Sequence, residues 1–167
     1  MSISPVLLYN PSFLESGSKF QFSSVGNKMT NFPSIDLRKL DKSFHTFTDH
    51  TNEIMDVTFN LSGTKIATAS SDCTSKIYDV ETLEMNYSLE GHKGEISKVM
   101  FDSRGNNLLT GSADGTCKIW DVKSGKCLQS LEGHHDEIFS CAFNYEGNTI
   151  ITASKDNTCK IWKAKKD

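Results

Sequence analysis

The sequence has little proline, little tryptophan and no long apolar run. Its 167 residues include 3 prolines and 2 tryptophans, and no stretch approaches the roughly 18 apolar residues that a membrane-spanning helix needs. The first 13 residues have no basic start and no long apolar centre, unlike a typical secretion signal. The net charge is −3 with both signs interspersed, which gives no electrostatic footprint for nucleic acid or an anionic membrane. We therefore expect neither nucleic acid nor a membrane as a partner.

Motifs of enzymes and metal sites are also missing. The chain has no phosphate-binding loop, no H-E-x-x-H and no G-x-S-x-G. Its five cysteines form no C-x-x-C pair, and cysteine and histidine do not fall at zinc-ligand spacing. Cys117 and Cys159 occupy equivalent positions of the repeat described next, where Ser75 stands in its first copy, so we interpret this position as a small, mostly buried side chain. We expect no metal, no cofactor and no disulfide, and a reducing compartment.

A repeat with a step of 42 residues organises most of the chain. Residues 91–121 have counterparts on both sides, and no gap is needed to align the three copies. Each copy contains short runs of β-branched and aromatic residues separated by turns rich in glycine and aspartate, as strands and hairpins require. In the second copy the runs predict strands at residues 95–101, 107–112, 117–122 and 126–131. A period of 40–45 residues, with Gly-His early and Trp-Asp late, is typical of a four-stranded propeller blade.

On these positions the sequence is identified as a member of the WD-repeat family. The predicted fold is all-β: a partial WD-repeat β-propeller with three regular four-stranded blades. The repeats are expected within residues 44–164, at about 44–80, 84–122 and 126–163, and residues 165–167 form a tail. The third copy ends with no residues for its outermost strand, so we expect an unpaired sheet edge there.

Residues 1–43 are less regular. They are interpreted as a degenerate, longer blade, and residues 43–47 match the outer strand at 127–131. The alternatives are a disordered arm, or a single strand added to the edge of another blade. Three clear blades are fewer than a closed propeller normally contains. The arc is therefore expected to close as a four-blade ring, to close by edge sharing between two chains, or to be part of a longer propeller.

Histidine, threonine, aspartate and an aromatic residue recur together in every repeat. A catalytic site would be expected once, not three times at a uniform step, so we do not expect an enzyme. In the WD-repeat family these side chains form a hydrogen-bonded chain from Trp through Thr and His to Asp, and the resemblance implies the same here. By position the sets are His50, Thr68, Asp72 and Tyr78; His92, Thr110, Asp114 and Trp120; and His134, Thr152, Asp156 and Trp162. Tyr78 replaces tryptophan in the first set, and its hydroxyl can still donate a hydrogen bond.

WD-repeat proteins commonly bind partners where the turns entering the inner strands gather around the central channel. The matching positions here are Glu53 and Met55, Glu95 and Ser97, and Glu137 and Phe139. Three glutamates in step would form an acidic arc beside apolar anchors, which suits a protein partner bearing Lys or Arg. The alternative is that the glutamates only cap or solvate their turns.

Several runs are similar to one subgroup, the outer-row dynein assembly factor with WD repeats. They are "LEGHKGEISKVMF", "GNNLLTGSADGT", "GKCLQSLEGHHDEIFSCAFNYEGN" and "ITASKDNTCKIW", of which residues 136–145 are the most distinctive. The resemblance covers about residues 44–163. It implies a non-enzymatic adaptor for the assembly or intraflagellar transport of axonemal outer-arm dynein, with outer-arm dynein subunits and intraflagellar transport proteins as partners. The expected location is the cytoplasm and the cilium or flagellum, including the basal body. The alternative is a scaffold of another complex, such as a ubiquitin-ligase substrate-recognition subunit.

Overall fold

The computed structural model describes residues 42–164. This part of the chain contains eleven β-strands and no helix. In chain order the strands are β1 Ile54–Phe59, β2 Lys65–Ser70, β3 Ser75–Asp79, β4 Met85–Leu89, β5 Ile96–Phe101, β6 Asn107–Ser112, β7 Cys117–Asp121, β8 Cys127–Leu131, β9 Ile138–Phe143, β10 Thr149–Ser154 and β11 Cys159–Lys163. They form three sheets of sequential antiparallel strands, called here blade I (β1–β4), blade II (β5–β8) and blade III (β9–β11). The all-β prediction is confirmed.

The predicted strands of the second copy lie within one residue of β5 to β8 at every boundary. Two blades have the predicted four strands, whereas blade III has three strands among the residues described. Residues 43–47 were predicted as an outer strand, and this is wrong for the structure, which has no strand there. A strand needs a ladder partner, and none of the eleven strands pairs with this segment. Of the blade predicted within residues 1–43, residues 1–41 lie outside the described residues, and so does the tail at 165–167.

The turns follow from local side-chain chemistry. Between β5 and β6, Asp102 accepts the backbone N–H of Asn106 at 2.9 Å, and Gly105 has a φ of 70°. An Asx-type hydrogen bond and a residue with positive φ are what a tight hairpin turn requires. The same turn recurs in the other two blades, with Asn60 and Asn144 as acceptors. Each blade is therefore a meander whose register is fixed by its turns.

The apolar cores lie between blades. Each blade has a rear face, which contacts the previous blade, and a forward face, which contacts the next. Ala67, Ala69 and Ile77 on the forward face of blade I pack with Val99, Leu108 and Trp120 on the rear face of blade II. In the next junction, Leu109, Cys117 and Leu131 of blade II pack with Ile138, Cys141 and Ile150 of blade III. A single blade cannot bury both of its faces, so each depends on its neighbours.

Two faces have no neighbour among the residues described. On the rear face of blade I, Val57 and Phe59 are 60% and 61% exposed; on the forward face of blade III, Ile151 and Ile161 are 48% and 66% exposed. The predicted burial at the Cys/Ser position is confirmed for Ser75 and Cys117 but is wrong for Cys159, which is exposed. Cys159 lies on the uncovered forward face of blade III, and this explains the difference.

Candidate functional site

Blades II and III each contain a continuous polar chain. In blade II, Trp120 Nε1 donates to Thr110 Oγ1 at 2.9 Å, and Thr110 Oγ1 lies 2.8 Å from His92 Nε2. His92 Nδ1 lies 2.8 Å from Asp114 Oδ2. The corresponding distances in blade III are 3.0, 2.8 and 2.8 Å. Because Thr110 accepts from the indole and its own hydroxyl can donate to Nε2, the neutral imidazole with its proton on Nδ1 satisfies every link.

The ionisation states suit this arrangement. Burial opposes ionisation of Asp114, but hydrogen bonds from the Lys93 backbone, Thr116 and His92 outweigh it and lower the pKa of Asp114 to about 2. Burial lowers the pKa of His92, although Asp114 acts in the opposite direction. A neutral imidazole therefore donates to a charged carboxylate. A fully satisfied buried network of this kind fixes a single geometry.

The chain of blade I is shorter than predicted. His50 keeps both contacts, at 2.8 Å to Asp72 and 2.7 Å to Thr68. The buried Tyr78 hydroxyl has no hydrogen-bond partner among the described residues, so the predicted bond from Tyr78 to Thr68 is wrong. Burial, with a further contribution from the nearby charge of Asp49, raises the pKa of Tyr78 to about 12. An indole N–H points sideways from its ring, whereas a phenol oxygen lies on the ring axis, and this explains why Tyr78 does not bond Thr68.

These polar sets are closed within their blades. The imidazole nitrogens of His50, His92 and His134 are all bonded to threonine and aspartate of the same blade. Their side chains are at most 3% exposed. The sets therefore stabilise the blades and present no free nucleophile or base. Within residues 42–164 there is also no cluster of three His, Cys, Asp or Glu that could hold a metal ion.

The three candidate glutamates occupy equivalent places in the structure. Glu53, Glu95 and Glu137 directly precede the inner strands β1, β5 and β9. The backbone carbonyl of each accepts an N–H from the turn after the second strand, at 2.8–2.9 Å. Glu53 and Glu95 are exposed, but Glu137 is half-buried and forms a 3.1 Å ion pair with Lys155. In the part of the chain that the structure describes, the predicted arc of three acids thus has two carboxylates without an ion pair, Glu53 and Glu95, and one that is paired with Lys155.

The neighbouring candidates lie at bulges. The registers of β1, β5 and β9 shift at Met55, Ser97 and Phe139, so these residues have no Cα partner on the second strand. A bulge changes the direction of a side chain and often occurs next to a binding site. Met55 and Phe139 are 49% and 55% exposed. Ser97 differs, because its hydroxyl donates to the Ile138 carbonyl of the next blade at 2.5 Å and is therefore part of a blade junction.

Two polar features of this surface were missed by sequence reasoning. Lys155 stands where the other copies have Ser71 and Ala113, and a charged residue in a position otherwise held by small residues was the available signal. Asp56 on β1 accepts from the Lys98 ammonium at 2.9 Å and from the Val99 N–H at 3.0 Å. The repeat did not predict this contact between inner strands. Asp56, Lys98 and Ser140 share one repeat position but differ in charge, so the contact does not recur at the next junction.

Successive antiparallel sheets of three or four strands, packed face to face and each containing a Thr–His–Asp set that a tryptophan extends in blades II and III, define blades of a β-propeller. The chain matches the family "WD domain, G-beta repeat" at residues 41–79, 83–121 and 125–163. These spans cover most of the chain, which therefore belongs to the WD-repeat family.

Two curated proteins show similarity to parts of the chain. The eukaryotic translation initiation factor 3 subunit I of Drosophila willistoni is 41% identical over 59 residues, which are 35% of this chain and 18% of that protein. The GID complex subunit 7 of Schizosaccharomyces pombe is 31% identical over 86 residues, which are 47% of this chain and 17% of that protein. The similarity thus spans less than a fifth of the length of either relative.

Among the described residues, no helix is long and apolar enough to cross a membrane. WD repeats imply protein partners, and protein-interaction scaffolding is the function that the repeats support.

Proposed function

We propose that this protein is a non-enzymatic scaffold that holds a protein partner at the mouth surface, defined as Glu53, Met55, Glu95, Glu137 and Phe139. One observation carries the proposal. The backbone of each glutamate is used identically in all three blades, whereas the side chains of Glu53, Met55, Glu95 and Phe139 remain exposed. The blades therefore position these groups without using them for folding.

The chemistry of the mouth surface favours a particular kind of partner. The exposed carboxylates of blades I and II form no ion pair within residues 42–164, and Lys155 pairs with the third at blade III. A basic side chain of the partner would therefore bind near Glu53 and Glu95. The exposed Met55 and Phe139 would receive an apolar side chain, since methionine and aromatic residues are common anchors at interfaces. The partner is a protein segment that carries Lys or Arg beside an apolar residue.

We propose that this scaffold acts as an adaptor in the assembly or the intraflagellar transport of axonemal outer-arm dynein. The support is the resemblance of residues 136–145 to the dynein assembly factor with WD repeats. Phe139 and Tyr145 in this stretch are 55% and 84% exposed, so the blade core does not require either aromatic ring. The proposed location is accordingly the cytoplasm and the cilium or flagellum, including the basal body.

A second candidate is a scaffold subunit of another multiprotein complex, such as a ubiquitin-ligase substrate-recognition subunit. The specific observation is that both relatives are named as subunits of larger assemblies, an initiation factor and the GID complex. Neither of these two names mentions dynein. The same mouth surface would serve in either complex.

Quantitative affinity capture from ciliated cells, read out by mass spectrometry, tests two things. It tests whether the mouth surface binds a partner, and it identifies the complex to which that partner belongs. The variant Glu53→Lys/Glu95→Lys reverses the free charges of the mouth surface. The control Glu81→Lys/Glu84→Lys makes the same change at exposed residues of the β3–β4 turn. We expect the control to capture the specific partners as wild type does. The mouth variant should capture at least about tenfold less of each partner, since close charge pairs at interfaces contribute more than 1 kcal/mol.

The identity of the lost partners decides between the candidates. Outer-arm dynein subunits and transport-train proteins support the dynein adaptor, and components of a ubiquitin ligase or another assembly support the second candidate. Equal capture by wild type and both variants would show that the mouth surface is not the binding site. Both variants should melt within about 2 °C of wild type, because exposed charges contribute little to stability.

A further inference from the structure

The strongest unexplained feature of the described residues is the pair of uncovered apolar faces at the two ends of the blade arc. We propose that two copies of this chain associate head to tail, with the forward face of blade III of each copy against the rear face of blade I of the other. The two equivalent junctions would close a ring from the six blades that the structure describes in the two copies.

The junction between blades I and II shows which kind of surface covers a rear face. On the rear side, Val57 and Phe59 stand in the repeat positions of Val99 and Phe101, which are 1% and 6% exposed under the forward face of blade I. A cover for Val57 and Phe59 is therefore the forward face of a blade.

Blade III offers such a face. Ile151 and Ile161 stand in the repeat positions of Ala67 and Ile77, which are both 0% exposed where they cover blade II. The free rear face and the free forward face are thus the two halves of a junction that this chain already forms twice. A second copy supplies both halves at once.

The sheet edges match as well. Blade III has three strands among the described residues, so its last strand, β11, has one unpaired edge. Residues 45–47 stand in the repeat positions of Tyr87 to Leu89 on the outer strand β4. Phe47 packs against Tyr78 with ring centroids 4.2 Å apart, as Leu89 packs in the same cluster as Trp120. With blade I docked on blade III of the partner copy, residues 45–47 would lie beside the free edge of that copy's β11 as its fourth strand.

The turns at the rim give an independent contact. In the blade II–blade III junction, Ser103 Oγ donates to the Tyr145 carbonyl at 2.6 Å. Leu61, Ser103 and Tyr145 share one repeat position. In the proposed junction between copies, Tyr145 of one copy would take the place of Ser103, and Leu61 of the other copy would take the place of Tyr145. Both side chains are unusually exposed, at 84% and 80%. The proposed junction would bring them together and cover both.

Two copies suffice for the blades that the structure describes. Closed propellers typically contain four to eight blades, and two copies with three described blades each fall within this range. Two copies related by a twofold axis also leave neither of the two described end faces free, whereas an open head-to-tail pair would continue to polymerise. This self-association is independent of the partner bound at the mouth surface.

The test is the mass of the whole 167-residue chain in solution, measured by light scattering and sedimentation equilibrium at 1–100 μM, as an order-of-magnitude range for a standard interface. We expect twice the chain mass of 18.6 kDa. Val57→Glu and Ile161→Glu place a charge on the rear and forward face, respectively. Each variant alone should weaken dimerisation at least about a hundredfold, because a buried unpaired carboxylate is strongly disfavoured at an interface.

Mixing the two variants gives the sharpest result. The Ile161→Glu copy keeps an intact rear face and the Val57→Glu copy keeps an intact forward face, so one junction can still form. We expect a 1:1 complex in the mixture although each variant alone is a monomer. This complementation also shows that both variants fold. The control Leu128→Glu introduces the same charge at a residue of β8 that is 59% exposed and lies on neither end face, and it should remain a dimer.

Three results would overturn the proposal. A wild-type chain that stays at 18.6 kDa throughout the range would mean that the faces are covered within one chain, by residues 1–41, or stay open. A dimer that survives both variants would place the interface elsewhere. Monomeric variants that do not associate on mixing would exclude the head-to-tail arrangement.

Discussion

Blades I and II have the same repeat but are stabilised by different side-chain interactions. In blade II the polar chain runs through four side chains and ends on Trp120, whose indole N–H bonds Thr110 at 2.9 Å. In blade I the chain ends at Thr68, and the Tyr78 hydroxyl is buried without a partner. The Tyr78 ring is held by packing instead, with Phe47 4.2 Å away between centroids. An aromatic contact of this kind contributes roughly as much as a neutral hydrogen bond.

The two blades also differ just before the histidine, where blade I has Asp49 and blade II has Gly91. Gly91 and Gly133 have φ of 146° and 154°, a region that favours glycine. Asp49 is not among the non-glycine residues with positive φ, so the backbone of blade I enters His50 in a conformation that a side chain tolerates. A Cβ added to Gly91 would lie 3.5 Å from the Trp120 ring, which is ordinary packing, so the backbone conformation is the main requirement for glycine in blade II.

The largest expected effect comes from breaking the complete chain at its charged end. Asp114→Ala leaves the buried Nδ1–H of His92 without an acceptor and removes bonds to the Lys93 and Thr116 backbones. We expect the free energy of unfolding to fall by about 3 kcal/mol. Urea unfolding followed by tryptophan fluorescence measures this change.

The matched control is Asp72→Ala, which removes the same bonds in blade I. We expect a loss of similar size, because the Asp72 and Asp114 side chains are 8% and 12% exposed and are therefore similarly shielded from water. A clearly smaller loss in blade I would show that the position of a blade in the arc affects the strength of its polar chain.

A change of opposite sign is expected at the aromatic end of the chain in blade I. Tyr78→Phe removes a buried hydroxyl that has no partner and keeps the ring packed against Phe47. We expect the free energy of unfolding to rise by about 1 kcal/mol, since an unsatisfied buried polar group is costly. Thermal unfolding followed by circular dichroism would show a higher midpoint.

Trp120→Phe is the corresponding change in blade II. It removes the bond from Nε1 to Thr110 and leaves space in the blade I–blade II core, so we expect a loss of about 2 kcal/mol. If Tyr78→Phe were as destabilising as Trp120→Phe, the Tyr78 hydroxyl would have a partner after all, and the contrast between the blades would disappear.

Much of the fold was predictable because the repeat carries it. A 42-residue step, with turn residues such as Asp102 and Gly105 at fixed places, determines where each strand begins and ends. The pairing of His92 with Asp114 and Thr110 followed from the family resemblance and is present in the structure. These features are local to one blade and recur with the sequence.

Other features depend on relations that a linear pattern does not contain. Because a tyrosine hydroxyl can donate a hydrogen bond, we expected Tyr78 to bond Thr68 in the polar set of blade I. The position of that hydroxyl depends on the shape of the ring, which the repeat pattern does not describe. The bulge at Phe139 depends on the register of two strands. The repeat marks Val57 and Ile161 as core positions, yet both are exposed, because burial depends on whether a neighbouring blade is present. The ion pair of Glu137 with Lys155 arises from one substitution in an otherwise small position.

The smallest expected effect concerns the turn between the third and fourth strands. Leu83 in blade I and Gly125 in blade II occupy the same repeat position with φ of 60° and 68°. Each N–H bonds the carbonyl of the aspartate that ends the third strand, at 3.0 and 2.8 Å. A leucine in this left-handed region is strained by about 1–2 kcal/mol, whereas glycine is not. Leu83→Gly should raise the free energy of unfolding by about 0.5 kcal/mol, because the greater freedom of glycine in the unfolded chain offsets part of the gain.

The reciprocal change in blade II distinguishes strain from packing. In Gly125→Ala the new Cβ would lie 2.7 Å from Cδ1 of Tyr87, whose ring is held by a 2.6 Å bond from its hydroxyl to the Lys123 carbonyl. Strain and overlap together should cost at least about 1 kcal/mol. If Leu83→Gly were destabilising as well, the packing of the half-buried Leu83 side chain would outweigh its backbone strain. Turn glycine would then be needed in blade II for the close approach of Tyr87, and the positive φ alone would not explain its presence.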